Sequence, residues 1–162
     1  MDLVTPTGEE VRLALRRLAS SVAIITTRFE DRPLAMAATA VSGLSLTPPS
    51  LLVCVNQAAT MYGALRAGAR FCVNILGRGH EELAQRCGGQ VRSEERFQTG
   101  AWREDDGQVP FLEDAQASLS CAADGVLVYG THGVFVGRIL AVRRHGEVSP
   151  LIYADARYCG AQ

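Results

Sequence analysis

The sequence lacks a C-x-x-C pair, a long apolar run and a surplus of charge, and each absence removes a class of function. The cysteines are five, Cys54, Cys72, Cys87, Cys121 and Cys159, an odd number without metal-ligand spacing. Neither a disulfide framework nor a zinc site is expected, and the thiols read as reduced, in a cytoplasm. No stretch approaches the roughly twenty apolar residues of a membrane span. The opening "MDLVTPTGEEVRLALRR" starts acidic and has no apolar segment behind a basic start, which argues against a signal peptide. Sixteen basic against seventeen acidic residues leave a formal net charge of -1, too little to point to nucleic acid or to an anionic membrane. His80, His132 and His145 share no metal-ligand spacing, and "HEEL" lacks the second histidine of a zinc protease, so no metal is expected. G-x-G-x-x-G, the phosphate-binding P-loop and the G-x-S-x-G elbow are all missing, which disfavours Rossmann, nucleotide-hydrolase and esterase readings.

What is present fits one domain over residues 1–162, since 48% hydrophobic and 20% charged residues are ordinary for a packed globular chain. Thr7 and Glu10 have capping-box spacing, and Val11, Ala14, Leu15 and Leu18 recur at helical period behind them. "SVAIITTRFE" then reads as a strand, "DRP" as a turn, "LAMAATAVSGLSL" as a second strand, and Pro48–Pro49 as a break before a third, "SLLVCVN". Thr60 is the expected N-cap of a short helix stopped by Gly68, "RFCVNIL" is a fourth strand, and "HEELAQRCGG" is a helix with a glycine stop. Residues 90–107 turn polar and read as a surface excursion anchored by Phe97 and Trp102. Several β runs fill the last third. Many strands with few short helices predict a mainly β protein, a barrel with peripheral helices.

Three stretches could carry chemistry. "AMAATAVSGLS" sets Ala37, Ala38, Thr39 and Ala40 in succession, which either packs under a helix or opens the backbone to a flat ligand. In "CVNQAATMYGALR", Asn56 ends a strand and Thr60 starts a helix, an arrangement that serves as an ordinary cap or receives a phosphate. "VYGTHGVFVG" reads as a hairpin in which Gly130 and Gly133 tolerate unusual backbone angles, with His132 at the tip. Acidic neighbours such as Asp105 and Asp106 sit in a polar stretch and read as solvated charge.

Taken in order, "ATAVSGLSLTPPSLLVCVN", "RFCVNIL", "EERF", "YGTHGVFVG" and "LIYADARY" resemble the short-chain flavin reductases, which supply reduced flavin to two-component monooxygenases. The resemblance is nearest to the reductase components of hydroxyphenylacetate hydroxylase and of the pyrimidine-ring-opening monooxygenase. It implies a Greek-key split β-barrel of the FMN-binding type that dimerises. It also implies FMN or FAD as the flavin, NADH or NADPH as hydride donor, and a separate oxygenase as partner. On that pattern Thr39, Ala40 and Val41 lie against the isoalloxazine ring, and Asn56 and Thr60 hold the ribityl chain and phosphate. Asn74 either touches flavin or satisfies neighbouring backbone groups. His132 places the nicotinamide beside the flavin, and Tyr158 forms a second wall of that pocket. The chain departs from its relatives at Cys159, where many carry histidine, and at Ala59, where some carry a phosphate-binding serine. The competing reading is a flavin-binding split barrel without reductase activity, a sensor, store or electron carrier.

Overall fold

The computed structural model describes residues 5–160. Helix α1 (Gly8–Leu15) starts at the expected capping box, with Thr7 Oγ1 accepting from the Glu10 amide at 3.2 Å and Glu10 Oε2 accepting from the Thr7 amide at 2.8 Å. None of its residues is buried. After the short β1 (Ser20–Ser21) comes β2 (Ala23–Phe29). The run expected as one strand over 34–46 is two, β3 (Arg32–Ala38) and β4 (Val41–Leu46), separated by a bend at Thr39 and Ala40. Strand β5 (Pro49–Asn56) opens on the second proline of the pair instead of following it. In α2 (Thr60–Arg66) the N-cap is Ala59, so Thr60 is the first helical residue and not the cap. Strand β6 (Phe71–Ile75) leads to α3 (Glu81–Gln85), which widens over residues 86–90 and stops at Gly89.

The polar excursion is not wholly irregular. Its end forms β7 (Trp102–Glu104), paired with β8 (Pro110–Leu112), while Phe97 and Trp102 pack edge to face at 5.0 Å, as the expected anchors. Two long strands follow, β9 (Ala117–Tyr129) and β10 (His132–Arg144), then β11 (Leu151–Ala154) and β12 (Arg157–Gly160).

Seven strands form one sheet in the order β3-β2-β6-β9-β10-β5-β4, every pairing antiparallel. Its two outer strands, β3 and β4, are joined by only Thr39 and Ala40. Three peptide steps reach at most about 11 Å, so the opposite edges of the sheet must curl back to within that distance. The result is a barrel closed covalently but not by hydrogen bonds, split along β3 and β4. Register shifts in the β9–β10 and β4–β5 pairs relieve the curvature.

Alternation along β2 sorts the core into two. Ala23 and Ile25 face the barrel interior with Phe71, Val73, Val53 and Phe135, and α2 plugs one end with Met61 and Leu65. Val22 and Ile24 face outward, where Leu83, Ala84, Cys87, Leu112 and Leu151 cover them. A polar seam fastens the β7–β8 arm to the outer wall. Thr26 donates to the Pro110 carbonyl, Asn74 accepts from the Leu112 amide at 2.8 Å, and the single Ser118 hydroxyl proton is shared between the Leu112 carbonyl at 3.0 Å and Asn74 Oδ1 at 2.9 Å.

Candidate active site

The split is where the unusual residues collect. Neither Thr39 nor Ala40 is registered against a neighbouring strand, and both are exposed, although the Ala40 carbonyl accepts from the Cys54 amide at 3.0 Å. Such a bend leaves main-chain donors and acceptors open to a planar ligand, with side chains too small to obstruct it. Val41, half-buried, begins β4 and packs against the barrel core.

Strand register brings the next groups to the bend. His132 opens β10 opposite Asn56, the last residue of β5, and opposite Tyr129 of β9 on its other side. Residues paired this way share a face of the sheet, so Asn56 and His132 are cross-strand neighbours. Gly130 turns the hairpin with a positive φ of 55°. Gly133 is needed for space instead, because a Cβ there would lie 2.7 Å from the Tyr62 ring. Gln57 latches the loop after β5 to the hairpin tip, its amide donating to Thr131 O at 2.9 Å and its side chain to Gly130 O at 2.8 Å. The Thr131 hydroxyl meets His132 Nδ1 at 2.9 Å. With the ring neutral and the hydroxyl donating, the ring proton sits on Nε2.

Two clefts flank this row. The wider, about 1070 Å³, runs from Thr39, Ala40, Thr131 and His132 to α1 and to the β11–β12 turn, and Tyr153 lines it. At that turn the Arg157 hydrogen bond and the Arg16 charge hold the Asp155 carboxyl below the usual carboxylate range. The narrower, about 310 Å³, is lined by Ala37, Ala58, Ala59, Thr60, Gly88, Gly89, Ser93 and Arg96, among others. Asn56 shapes its near wall by accepting from the Ala58 amide at 2.9 Å, and Ala59 offers α2 no side-chain cap. Arg96 spends Nη1 on the Ala35 carbonyl at 2.6 Å, while its Nε is buried without a partner. Burial pushes the Cys87 thiol up to about 11 against the pull of Arg96 and Arg86, so this wall carries a neutral thiol. An anion in this cleft would meet a guanidinium with a free donor and two hydroxyl groups, which fits a phosphate.

Thr39, Ala40 and His132 thus line the wide cleft and Thr60 the narrow one, Asn56 stands in register with His132 at the split, and Val41 faces a separate cleft with Ile75, Leu119 and Ile139. Asn74 lines none of these clefts. It is fully buried on the outer wall, and its amide donates to Ile24 O at 2.9 Å and Thr26 Oγ1 at 3.2 Å while its oxygen accepts from Leu112 N and Ser118 Oγ. Of its two expected roles, satisfying neighbouring groups accounts for every polar atom of the side chain. Tyr158 also stands back. It packs edge to face on Tyr153 at 5.1 Å, and Tyr153, not Tyr158, lines the wide cleft; burial raises the Tyr158 phenol above its usual value. Ser93, Arg96 and Tyr153 were missed from sequence. Arg96 stands within "EERF", but only folding brings it against Ala35. Among the described residues no group of His, Cys, Asp and Glu could hold a metal ion, and no helix is long and apolar enough to cross a membrane.

Comparison with known proteins places the fold and the family. The profile described as flavin reductase like domain matches residues 15–162. The FMN reductase (NADH) RutF 1 of Methylorubrum extorquens is 41% identical over 147 residues, 91% of this chain and 73% of that protein. The reductase component of the FADH(2)-dependent resorcinol hydroxylase of a Rhizobium species is 35% identical over 156 residues, 95% of this chain and 87% of that protein. The crystal structure of nitrilotriacetate monooxygenase component B from Mycobacterium thermoresistibile superposes with a TM-score of 0.87 at 28% identity, covering 95% of this chain and 86% of that one. A family profile that spans residues 15–162, nearly the whole chain, leaves one assignment: it belongs to the flavin reductase like domain family.

Proposed function

We propose that this chain is an NADH-dependent flavin reductase that passes reduced FMN or FAD to a separate monooxygenase. The observation that carries the reading is the register setting His132 beside Asn56 at the edge of an unpaired bend, between one cleft fit for a phosphate and another roomy enough for a dinucleotide.

Bound flavin supplies the hydride-accepting chemistry, and the protein's work is placement. The peptide groups of Thr39, Ala40 and Val41 meet the ring. Asn56 directs the ribityl chain, and Thr60, Ser93 and Arg96 hold the phosphate. His132, with the Thr131 hydroxyl on Nδ1, would offer Nε2–H to the nicotinamide carboxamide and position that ring for hydride transfer. Tyr153, braced from behind by Tyr158, walls the cleft and keeps water out. Relatives named for NADH favour that donor over NADPH. A second copy of the chain is the proposed cover for the apolar residues left exposed along the split and hairpin, Leu44, Leu46, Leu127 and Tyr129. Five unpaired thiols suit the cytoplasm as the setting.

The test is oxidation of NADH and NADPH by the purified protein, followed by nicotinamide absorbance, with FMN, FAD or neither added. Oxidation that requires flavin and saturates with it supports the reading. Flavin binding without oxidation of either nucleotide would leave a flavin carrier on the same fold.

A further inference from the structure

We infer that Arg16, with Arg12 one helical turn before it, anchors the diphosphate of the nicotinamide dinucleotide over His132, making α1 part of the hydride-donor site. The inference rests on the reductase reading above. A nicotinamide ring occupies a small part of a cleft of about 1070 Å³, and the rest of the dinucleotide carries two negative phosphate groups that need a partner. Arg12 and Arg16 are the basic residues lining that cleft, on the wall facing Thr131 and His132. Their spacing of four places both on one face of the helix axis.

Arg16 is set for this task. Its Nε lies 3.3 Å from Asp155 Oδ1, an ion-pair contact without hydrogen-bond alignment, and Nη2 makes only a long 3.4 Å bond to the Asp155 carbonyl. A guanidinium has five N–H donors in a planar fork, so the turn at Asp155 orients the group and leaves most donors unspent. Arg12 is more exposed and shares Glu9 at 2.6 Å, which makes it the weaker of the two.

A purely structural role explains Arg16 poorly. Helix α1 buries no residue, and its end is already tied down by the Asp155 amide donating to Arg16 O at 2.9 Å. A partly exposed ion pair without hydrogen-bond alignment adds little to that. The side chain is therefore available to a ligand.

Two hydride donors separate the roles: NADH, and N-benzyl-1,4-dihydronicotinamide, which has the ring and no phosphate. Arg16→Ala should raise the KM for NADH about tenfold or more, the usual effect of losing a charge-assisted bond. It should weaken NAD+ binding in calorimetry by the same factor and leave turnover with the benzyl donor unchanged. Arg16→Lys should recover part of the loss. Asp155→Ala breaks the same ion pair but keeps the guanidinium and the backbone contacts of the turn, and should raise the KM for NADH clearly less than Arg16→Ala does. The proposal is overturned if Arg16→Ala slows both donors equally, or if Asp155→Ala reproduces it, since either result means that α1 docking is what matters. Wild-type protein that reduces flavin with the benzyl donor but binds no NAD+ also overturns it, while flavin reduction stands. Wild-type protein inactive with both donors would end the reductase reading itself.

Discussion

Replacing Asn74 by alanine separates a wall of the barrel from a wall of the site. The side chain joins β2, β6, β9 and the β7–β8 arm through five hydrogen bonds, two donated and three accepted, the weakest of them from the Cys72 thiol at 3.6 Å. Without it the Leu112 amide is stranded in a region where Leu112 is 1% exposed, which costs about 1–3 kcal/mol. The bonds with Ile24, Thr26 and Ser118 add about 1 kcal/mol each, and the cavity adds more. The stranded amide and these bonds sum to about 4–6 kcal/mol before the cavity, and at about 2–4 °C per kcal/mol for a chain of this size the melting temperature should fall by about 10 °C or more. Thermal melts by circular dichroism measure the loss, and FMN titrations below the melt measure the site. The affinity of the folded variant for FMN should stay within about threefold of wild type, because Asn74 points away from the clefts. Should Asn74→Ala fail to fold, Ser118→Ala removes one bond from the same node and should cost about 1 kcal/mol with no change in flavin binding. A melt within about 3 °C of wild type together with a tenfold loss of FMN affinity would refute the assignment and return Asn74 to the flavin.

Other substitutions probe the site and the core. Arg96→Ala should weaken FMN binding about tenfold or more by removing the guanidinium from the narrow cleft, yet leave the affinity for lumiflavin, which has no phosphate, unchanged. His132→Ala should lower turnover with NADH more than it lowers flavin affinity, and equal loss in both would reject a nicotinamide-positioning role. Gly137→Ala puts a Cβ 2.6 Å from the buried Phe71 ring and should destabilise by about 1–3 kcal/mol, read from urea melts. Burial lifts the Cys72 and Cys121 thiols to about 12 and Cys87 to about 11, whereas an unfolded thiol ionises near 8.5. The native state thus keeps protons that the unfolded state releases, so stability is complete below about pH 8.5 and declines above it. At about pH 10 each thiol should cost about 2 kcal/mol, and a Cys72→Ala variant should lose that share of the alkaline slope in urea melts.

The strands were legible where burial dictates period. "VAIITT" reads as β because both of its faces are covered, one by the barrel core and one by the outer core. The capping box of α1 was legible because it is made within four residues. The division of 34–46 was not, since nothing local separates β3 from β4; the break exists because the curled sheet has to change edges there. The start of α2 slipped by one residue for a related reason. Thr60 looks like a cap, but Asn56 already holds the preceding turn through the Ala58 amide, and this puts Ala59 at the cap. Ser93, Arg96 and Tyr153 lie in segments distant in sequence from the residues they join, and no periodicity reports such meetings.

The same geometry accounts for where the proposed site lies. A seven-stranded sheet whose edges are linked by two residues can close by pairing β3 with β4, or can remain split. Pairing would use the backbone groups of the bend and cover them; the split keeps them solvated and available. An open sheet edge is a liability unless something of the right shape and polarity covers it, and a flat ring with donors and acceptors along its edge meets both needs. Small residues at 37–40 keep the approach clear, and the helix after β5 and the hairpin before β10 bring Asn56 and His132 to that place through register alone. The break that sequence reading took for continuous strand is therefore the feature on which the site depends. Filling it, for example by Ala40→Ile, should impair flavin binding while leaving the melting temperature nearly unchanged, because Ala40 is exposed and outside both cores.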